Sequence, residues 1–277
     1  MLNNFANEWR KIIAEELATD VGSGDITAEL IAADETATAT IITREAAVIC
    51  GVDWVNETCR QVDPAIQITW QVQDGAKVKP AAQLATLSGL ARSIVTAERT
   101  ALNGLQTLSG TATLVHQYVE KIKGTAAKLL DTRKTIPGLR HLQKYAVRCG
   151  GGYNHRMGLY DMFLIKENHI ASCGSLTKAV EHARSLHPEK MLEVEVENLI
   201  QLKEALPLQV SRVMLDNFNL QQIQAAVKMV QGKVELEVSG NVTLENIRAI
   251  AETGIDYISV GSITKNVRAI DLSLRIS

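Results

Sequence analysis

Two rhythms of apolar and polar positions divide the chain. Over roughly the first hundred residues the pattern is mixed. Residues 5–17 predict an amphipathic helix, with Phe5, Trp9, Ile12 and Ile13 on one face. It stops at the turn-rich Asp20-Val21-Gly22-Ser23-Gly24-Asp25-Ile26-Thr27. Residues 36–49 and 66–72 read as strands rich in Thr, Ile and Val. In the second, Ile66, Ile68, Trp70 and Val72 alternate with polar neighbours, so one face is expected to meet water. Asp74-Gly75 signals a turn, and strand-like runs follow at 77–80 and 84–87. Helical spacing returns over residues 96–109, where Ala97, Ala101, Leu102, Leu105 and Leu108 share a face.

From about residue 110 the pattern becomes regular. Short apolar runs at 127–130 and 162–165, and others centred near Val194, Met214, Leu236 and Ile258, predict strands. Helical patterns lie between them over residues 176–186, 199–206, 220–230 and 244–251. At least six strand–helix units imply a parallel sheet, which closes most naturally as a barrel. The expected organisation is an α+β domain over residues 1–109, a parallel α/β barrel over 110–266, and a C-terminal segment over 267–277 that returns to the first domain.

Composition narrows this reading. The chain has 277 residues, 46% of them hydrophobic but only 4% aromatic, so the core must be built from Ala, Val, Ile and Leu. A net charge of −2 argues against nucleic acid or a membrane surface as partner. No apolar run approaches the ~18 residues of a membrane helix. Cys50, Cys59, Cys149 and Cys173 show no CxxC spacing, and no export signal stands at the start, so reduced thiols in the cytoplasm are expected.

The charge is unevenly spread. Residues 131–166 carry seven Lys/Arg against two Asp/Glu, while the rest of the chain carries 22 against 29. A basic island in an acidic protein suggests a site for a small polyanion. Its cations also follow strands, where α/β folds bind ligands. Asp131-Thr132-Arg133-Lys134 and Lys166-Glu167-Asn168-His169 are joined there by Glu195-Val196-Glu197-Asn198, Asp216-Asn217, Ser239-Gly240-Asn241 and Val260-Gly261-Ser262.

Arg133, Lys134, Arg156 and Lys166 suit a ligand with several negative groups, Arg as a planar fork and Lys as a point charge. Lys166 could instead be the nucleophile of a Schiff-base lyase, though such a site needs no comparable set of arginines. Glu195 and Asp216 could hold Mg²⁺, directly or through ribose hydroxyls, but Glu193 and Glu197 share the parity of Glu195, and spacing does not choose among them. The small residues Ser239, Gly240, Asn241, Val260, Gly261 and Ser262 precede helices on late strands, where barrels often take phosphate. Arg140, Lys144 and Arg148 are expected to be a solvated helix face. Gly150-Gly151-Gly152 is expected to let the backbone turn.

The motifs DTRKT-x-PGLR, KYAV, GGGYNHR-x-GL and LIKENH, all between Asp131 and His169, resemble the quinolinate phosphoribosyltransferases, also called nicotinate-nucleotide pyrophosphorylases (carboxylating). The resemblance implies an incomplete parallel α/β barrel preceded by an α+β sandwich domain. It implies phosphoribosyl transfer from phosphoribosyl pyrophosphate to quinolinate, with decarboxylation and Mg²⁺, in NAD biosynthesis. Arg99, Arg133, His155, Arg156 and Lys166 would hold the dicarboxylate; Thr132, Lys134, Glu195, Asp216 and the late glycine turns would hold the sugar phosphate. Lys134, Glu195 and Asp216 would carry the catalysis. The resemblance favours Glu195 among the three glutamates. It also places Arg99, within Glu98-Arg99-Thr100-Ala101-Leu102-Asn103, in the site of a neighbouring subunit, which makes at least a dimer the expected state.

Overall fold

The computed structural model describes residues 6–276. The first stretch runs α1 (Ala6–Val21), β1 (Thr36–Thr43), β2 (Ala47–Val48), α2 (Val52–Val62), β3 (Gln67–Trp70), β4 (Lys77–Val78), β5 (Gln83–Leu90) and α3 (Ala91–Ile122). Then come β6 (Lys128–Leu130), α4 (Arg140–Cys149), β7 (Met162–Ile165), α5 (Glu167–Cys173) and α6 (Leu176–Leu186). The pattern then alternates through β8 (Met191–Val196), α7 (Leu199–Ala205), β9 (Arg212–Asp216), α8 (Leu220–Val230) and β10 (Glu235–Ser239). It closes with α9 (Ile247–Ala251), β11 (Tyr257–Ser259), α10 (Ser262–Lys265) and β12 (Leu272–Ile276).

Two compact units result. The first takes the chain up to His116, then residues Ile136–Gly151, then everything from Ile263 on. It is built on an antiparallel sheet ordered β12-β1-β5-β3, with β2 and β4 as a separate pair. Alternation makes the inner face. In Thr36–Thr43 the buried positions are Ala39, Ile41 and Thr43, and the first two pack with Leu84, Leu87, Ile94, Leu102 and Leu105. The Trp54 indole of α2 is seated by donating to Thr100 O at 2.9 Å. A Cβ added at Gly104 would stand 2.2 Å from Trp54 Nε1, so α3 needs glycine where the indole crosses it.

The second unit covers Gln117–Thr135 and Gly152–Ser262. Its six strands are parallel in the order β6-β11-β10-β9-β8-β7. Among the described residues β6 and β7 do not pair with each other, so the barrel is incomplete. The two faces of this sheet differ in chemistry. Leu192, Val194 and Val196 of β8, Val213 and Leu215 of β9, and Leu236 and Val238 of β10 are buried and apolar. The alternate positions carry Glu193, Glu195, Arg212, Asp216 and Glu237, and the register holds Glu193 opposite Arg212 and Ser239 opposite Asp216. One parity packs a core and the other builds a polar face.

Several boundaries differ from the sequence reading. The first helix continues to Val21, and Phe5 lies outside the described residues. The 36–49 run is two strands separated by a bend at 44–46. The helix expected over 96–109 extends from Ala91 to Ile122, because no proline interrupts it. The last helical pattern is helical only over Ile247–Ala251, with a turn at residues 244–246. Lys144 corrects the expected solvated face: it is 1% exposed, on a helix that also buries Leu142, Gln143, Ala146 and Val147, whereas Arg148 is exposed and Arg140 half-buried. Helical spacing alone does not say how many faces of a helix are covered.

Candidate active site

Strand ends of the second unit place the polar residues. After β6, Asp131 is fully buried; its carboxylate accepts from the His155 backbone N–H at 2.9 Å and from Asn154 Nδ2 at 2.5 Å. This ties the GGGYNHR segment to the end of the strand, supported by the parallel bridge between Leu130 and Tyr153. Thr132 Oγ1 accepts from the Lys134 N–H at 3.0 Å and turns the chain there. Gly261, following β11, lies against the same turn: a Cβ on it would meet Lys134 Cδ at 3.0 Å and Thr132 Oγ1 at 3.5 Å. Val260 donates its N–H to Leu130 O at 3.0 Å, so the first and last strands of the barrel hand their loops to one place.

After β7, the Lys166 ammonium pairs with the Glu195 carboxylate of β8. His169 Nδ1 accepts from the Lys166 N–H at 3.0 Å, so His169 caps α5 and fixes the lysine backbone. Asp216 ends β9 and accepts from Asn217 Nδ2 at 2.7 Å. Asn217 in turn accepts from Asn241 Nδ2 at 3.1 Å and donates its backbone N–H to Ser239 O at 2.9 Å. Gly240, with φ at +90°, presses on this asparagine; a Cβ there would stand 2.2 Å from Asn217 Oδ1. The Ser239-Gly240-Asn241 turn is therefore joined to Asp216 through Asn217.

Charge is concentrated beside these turns. Burial lowers the Arg156 pKa from its ordinary value, and the neighbouring Arg133 guanidinium lowers it further. Asp161, Glu193 and Glu195 act in the opposite sense. Two arginines held this close favour an anion, which would relieve their repulsion. Deeper in the same unit, Glu193, Glu237, Arg212 and His155 form a buried cluster. Burial pushes Glu193 up to about 7 against the pull of Arg212, and Glu237 likewise up to about 7, with Glu193 adding repulsion. Arg212 Nη1 donates to Glu237 Oε2 at 3.1 Å, and its guanidinium carbon lies 3.7 Å from the centre of the Tyr257 ring.

Two family models match, together spanning most of the chain: the quinolinate phosphoribosyl transferase N-terminal domain over residues 25–109 and its C-terminal domain over 111–275. The chain belongs to the quinolinate phosphoribosyltransferase family. A nicotinate-nucleotide pyrophosphorylase [carboxylating] of Mycobacterium leprae is 43% identical over 273 residues, covering 96% of each chain. A quinolinate phosphoribosyltransferase [decarboxylating] of Nicotiana tabacum is 37% identical over 97% of this chain and 82% of its own. The solved nicotinate-nucleotide pyrophosphorylase of Francisella tularensis superposes with a TM-score of 0.94 at 52% identity, over 98% of this chain and 96% of that one. This quinolinate phosphoribosyltransferase-family chain thus shares both the sandwich and the incomplete barrel of its solved relatives.

The expected site residues of this family member divide into those in the second unit and one outside it. Thr132, Arg133, Lys134, His155, Arg156, Lys166, Glu195, Asp216, Ser239, Gly240, Asn241, Val260, Gly261 and Ser262 all belong to the second unit, at or near strand ends except His155 and Arg156, which lie in the segment that leads to β7. Arg99 belongs to the first unit, on α3, where it is exposed and 3.8 Å from Glu98. Glu195 and Glu193 both lie on the polar face, Glu195 paired with Lys166 and Glu193 fully buried, while Glu197 lies beyond β8 and is exposed. Arg212 and Glu237 are absent from the sequence reading, and Asp131 and Asn217 enter it only within their strand-end segments, without a role of their own. A signal for Glu237 existed: an acid inside an apolar run, as in Leu236-Glu237-Val238, has no place in a strand unless a polar face awaits it.

Proposed function

We propose that this site transfers the phosphoribosyl group of phosphoribosyl pyrophosphate to quinolinate and releases CO2, giving nicotinate mononucleotide and pyrophosphate for NAD biosynthesis. The observation that carries the reading is the pairing of chemistries on one barrel unit. Arg133 and Arg156 repel each other where a dicarboxylate would settle, and close-packed glycine turns beside Lys134 and Asp216 suit phosphate and ribose. The names and near-full coverage of the relatives support the same reaction.

The chemistry runs in two stages. The pyridine nitrogen forms a bond to the anomeric carbon as the bond to pyrophosphate breaks, and positive charge passes through the anomeric centre to the ring. Glu195 and Asp216 would stabilise that charge. The quaternised nitrogen then lets the adjacent carboxylate leave as CO2, its bonding pair held at the ring carbon beside the cationic nitrogen until a proton arrives. Arg133, Arg156 and Lys166 would hold the dicarboxylate and Lys134 the pyrophosphate, while His155, expected from sequence to touch the dicarboxylate, has both ring nitrogens turned to the Arg156 backbone and buried acids and would act from behind Arg156. Thr132, Ser239, Gly240, Asn241, Val260, Gly261 and Ser262 would hold the 5′-phosphate and ribose.

The half-buried carboxylates of Glu195 and Asp216, ending neighbouring strands, are hard oxygen donors and fit Mg²⁺, which would neutralise pyrophosphate charge when bound with the substrate. Arg99, exposed on α3, would complete the site of a second copy in a dimer or larger assembly. Among the described residues no helix is long and apolar enough to cross a membrane, and a cytoplasmic setting suits a reaction between two soluble anions.

The test is a product assay with phosphoribosyl pyrophosphate, Mg²⁺ and either quinolinate or nicotinate. Nicotinate mononucleotide from quinolinate alone is expected, because the arginine pair needs the second carboxylate. Equal turnover of nicotinate, or normal turnover by Arg133→Ala and Lys166→Ala, would overturn the assignment.

A further inference from the structure

His155 is gripped at three points. Its backbone N–H donates to Asp131, and Nδ1 accepts the Arg156 backbone N–H at 2.7 Å. Nε2 lies 3.0 Å from Glu193 Oε2 and 3.5 Å from Glu237 Oε2, with side-chain exposures of 6% for the histidine and 0% for both acids. A ring nitrogen that accepts a hydrogen bond carries no proton, so the neutral imidazole has its proton on Nε2. The carboxylates, when ionised, favour the same choice. A lone pair on Nε2 would face two acids, whereas an N–H there is attracted to both. Glu237 Oε2 is also engaged by Arg212, while both Glu193 oxygens are buried without a hydrogen-bond partner. Glu193 is therefore the nearer and less committed neighbour. Arg212 supplies the positive charge that a metal would otherwise bring to this cluster of one histidine and two acids.

We propose that Glu193, acting through His155, is a positioning residue for Arg156. By holding the proton on Nε2 it keeps Nδ1 open to the Arg156 backbone, and this fixes where the guanidinium meets the substrate. The other tautomer would set two N–H groups against each other at 2.7 Å and push the Arg156 backbone away. The inference rests on the reading of Arg156 as a contact for a quinolinate carboxylate. It differs from a general structural role, because it predicts a tautomer and a selective loss of affinity for one substrate.

Long-range proton–nitrogen correlation spectra of the histidine-labelled full chain, with His155 identified through His155→Asn, are expected to show the Nε2–H tautomer. Glu193→Met is expected to mix the tautomers. It should raise KM for quinolinate ~10-fold, with kcat within ~3-fold and KM for phosphoribosyl pyrophosphate within ~2-fold, as for a displaced binding group. Glu193→Gln, whose amide oxygen still accepts, should return KM to within ~3-fold of the parent. An Nδ1–H tautomer in the unsubstituted protein overturns the proposal even if the methionine variant does not fold. So does an unchanged KM in Glu193→Met when Arg156→Ala raises it. An unchanged KM in Arg156→Ala instead removes the reading of Arg156 on which the proposal stands.

Discussion

Arg212→Met should destabilise the protein by an amount that depends steeply on pH. The guanidinium lies 3.1 Å from Glu237 Oε2 and is about one-tenth exposed. At that distance, with an effective dielectric of about 20, the attraction is about 5 kcal/mol. Removing one partner of a buried pair costs about 3–5 kcal/mol, and loss of the stack on Tyr257 adds about 1 kcal/mol. The sign follows from the acids. Burial raises Glu193 and Glu237 to about 7 in the folded chain, well above the ordinary 4.5. Stability linked to these groups is complete below their unfolded pKa and is lost as pH rises through 7. Without Arg212 the folded pKa values climb further, so the variant goes on losing stability above pH 7, where the loss in the parent levels off. Urea unfolding of parent and variant at pH 5, 6, 7 and 8 should therefore show a gap of about 4 kcal/mol at pH 8, shrinking to about 1–2 kcal/mol at pH 5. A gap independent of pH, or one below about 1 kcal/mol at pH 8, would refute the argument that Arg212 is retained to hold buried carboxylate charge.

Other substitutions test other parts of the fold. Gly104→Ala should destabilise by about 1–3 kcal/mol in denaturant titration despite its better helix propensity, because the methyl would stand 2.2 Å from the Trp54 indole nitrogen; tryptophan fluorescence should shift with it. Gly240→Ala combines a φ of +90° with a methyl 2.2 Å from Asn217 Oδ1, and should cut turnover ~10-fold or more while lowering stability by only ~1–2 kcal/mol, because the displaced asparagine holds Asp216. Cys59, pushed up to about 12 by burial, and Cys50, raised well above the ordinary thiol value by burial, should resist iodoacetamide in the native protein and react on unfolding, as mass spectrometry would record.

The sequence announced the chemistry of the rim better than that of the interior. Residues after strands were legible because strand ends are marked by a change from apolar runs to Asp, Lys, Arg and Gly, and because the motifs between Asp131 and His169 are long. The polar face was not. Glu193 and Glu195 differ by one strand repeat and look alike in sequence, yet Glu195 pairs with Lys166 while Glu193 lies fully buried beneath His155. Only the stagger of six parallel strands decides which acid meets a cation and which meets a histidine. Lys144 misled for a related reason. Its spacing with Arg140 and Arg148 describes one side of a helix, and nothing in spacing tells whether that side meets water. The small-residue turns were readable as turns, but the asparagine that links Gly240 to Asp216 depends on neighbouring strands twenty residues apart.

The pairing of β11 with β6 sets when this protein can first work. Lys128–Leu130 and Tyr257–Ser259 lie side by side, and the loops that follow them meet at Thr132, Lys134 and Gly261. On the ribosome, the first of these partners emerges long before the second. The rim on which both substrates would converge has no closing edge until nearly the whole chain has been made. The long separation between such partners makes closure slow compared with the local helices. A nascent or truncated chain ending before Gly261 would carry every arginine of the basic island and still lack the wall that Gly261 builds beside Lys134. The chain would therefore stay inert until β11 docks against β6.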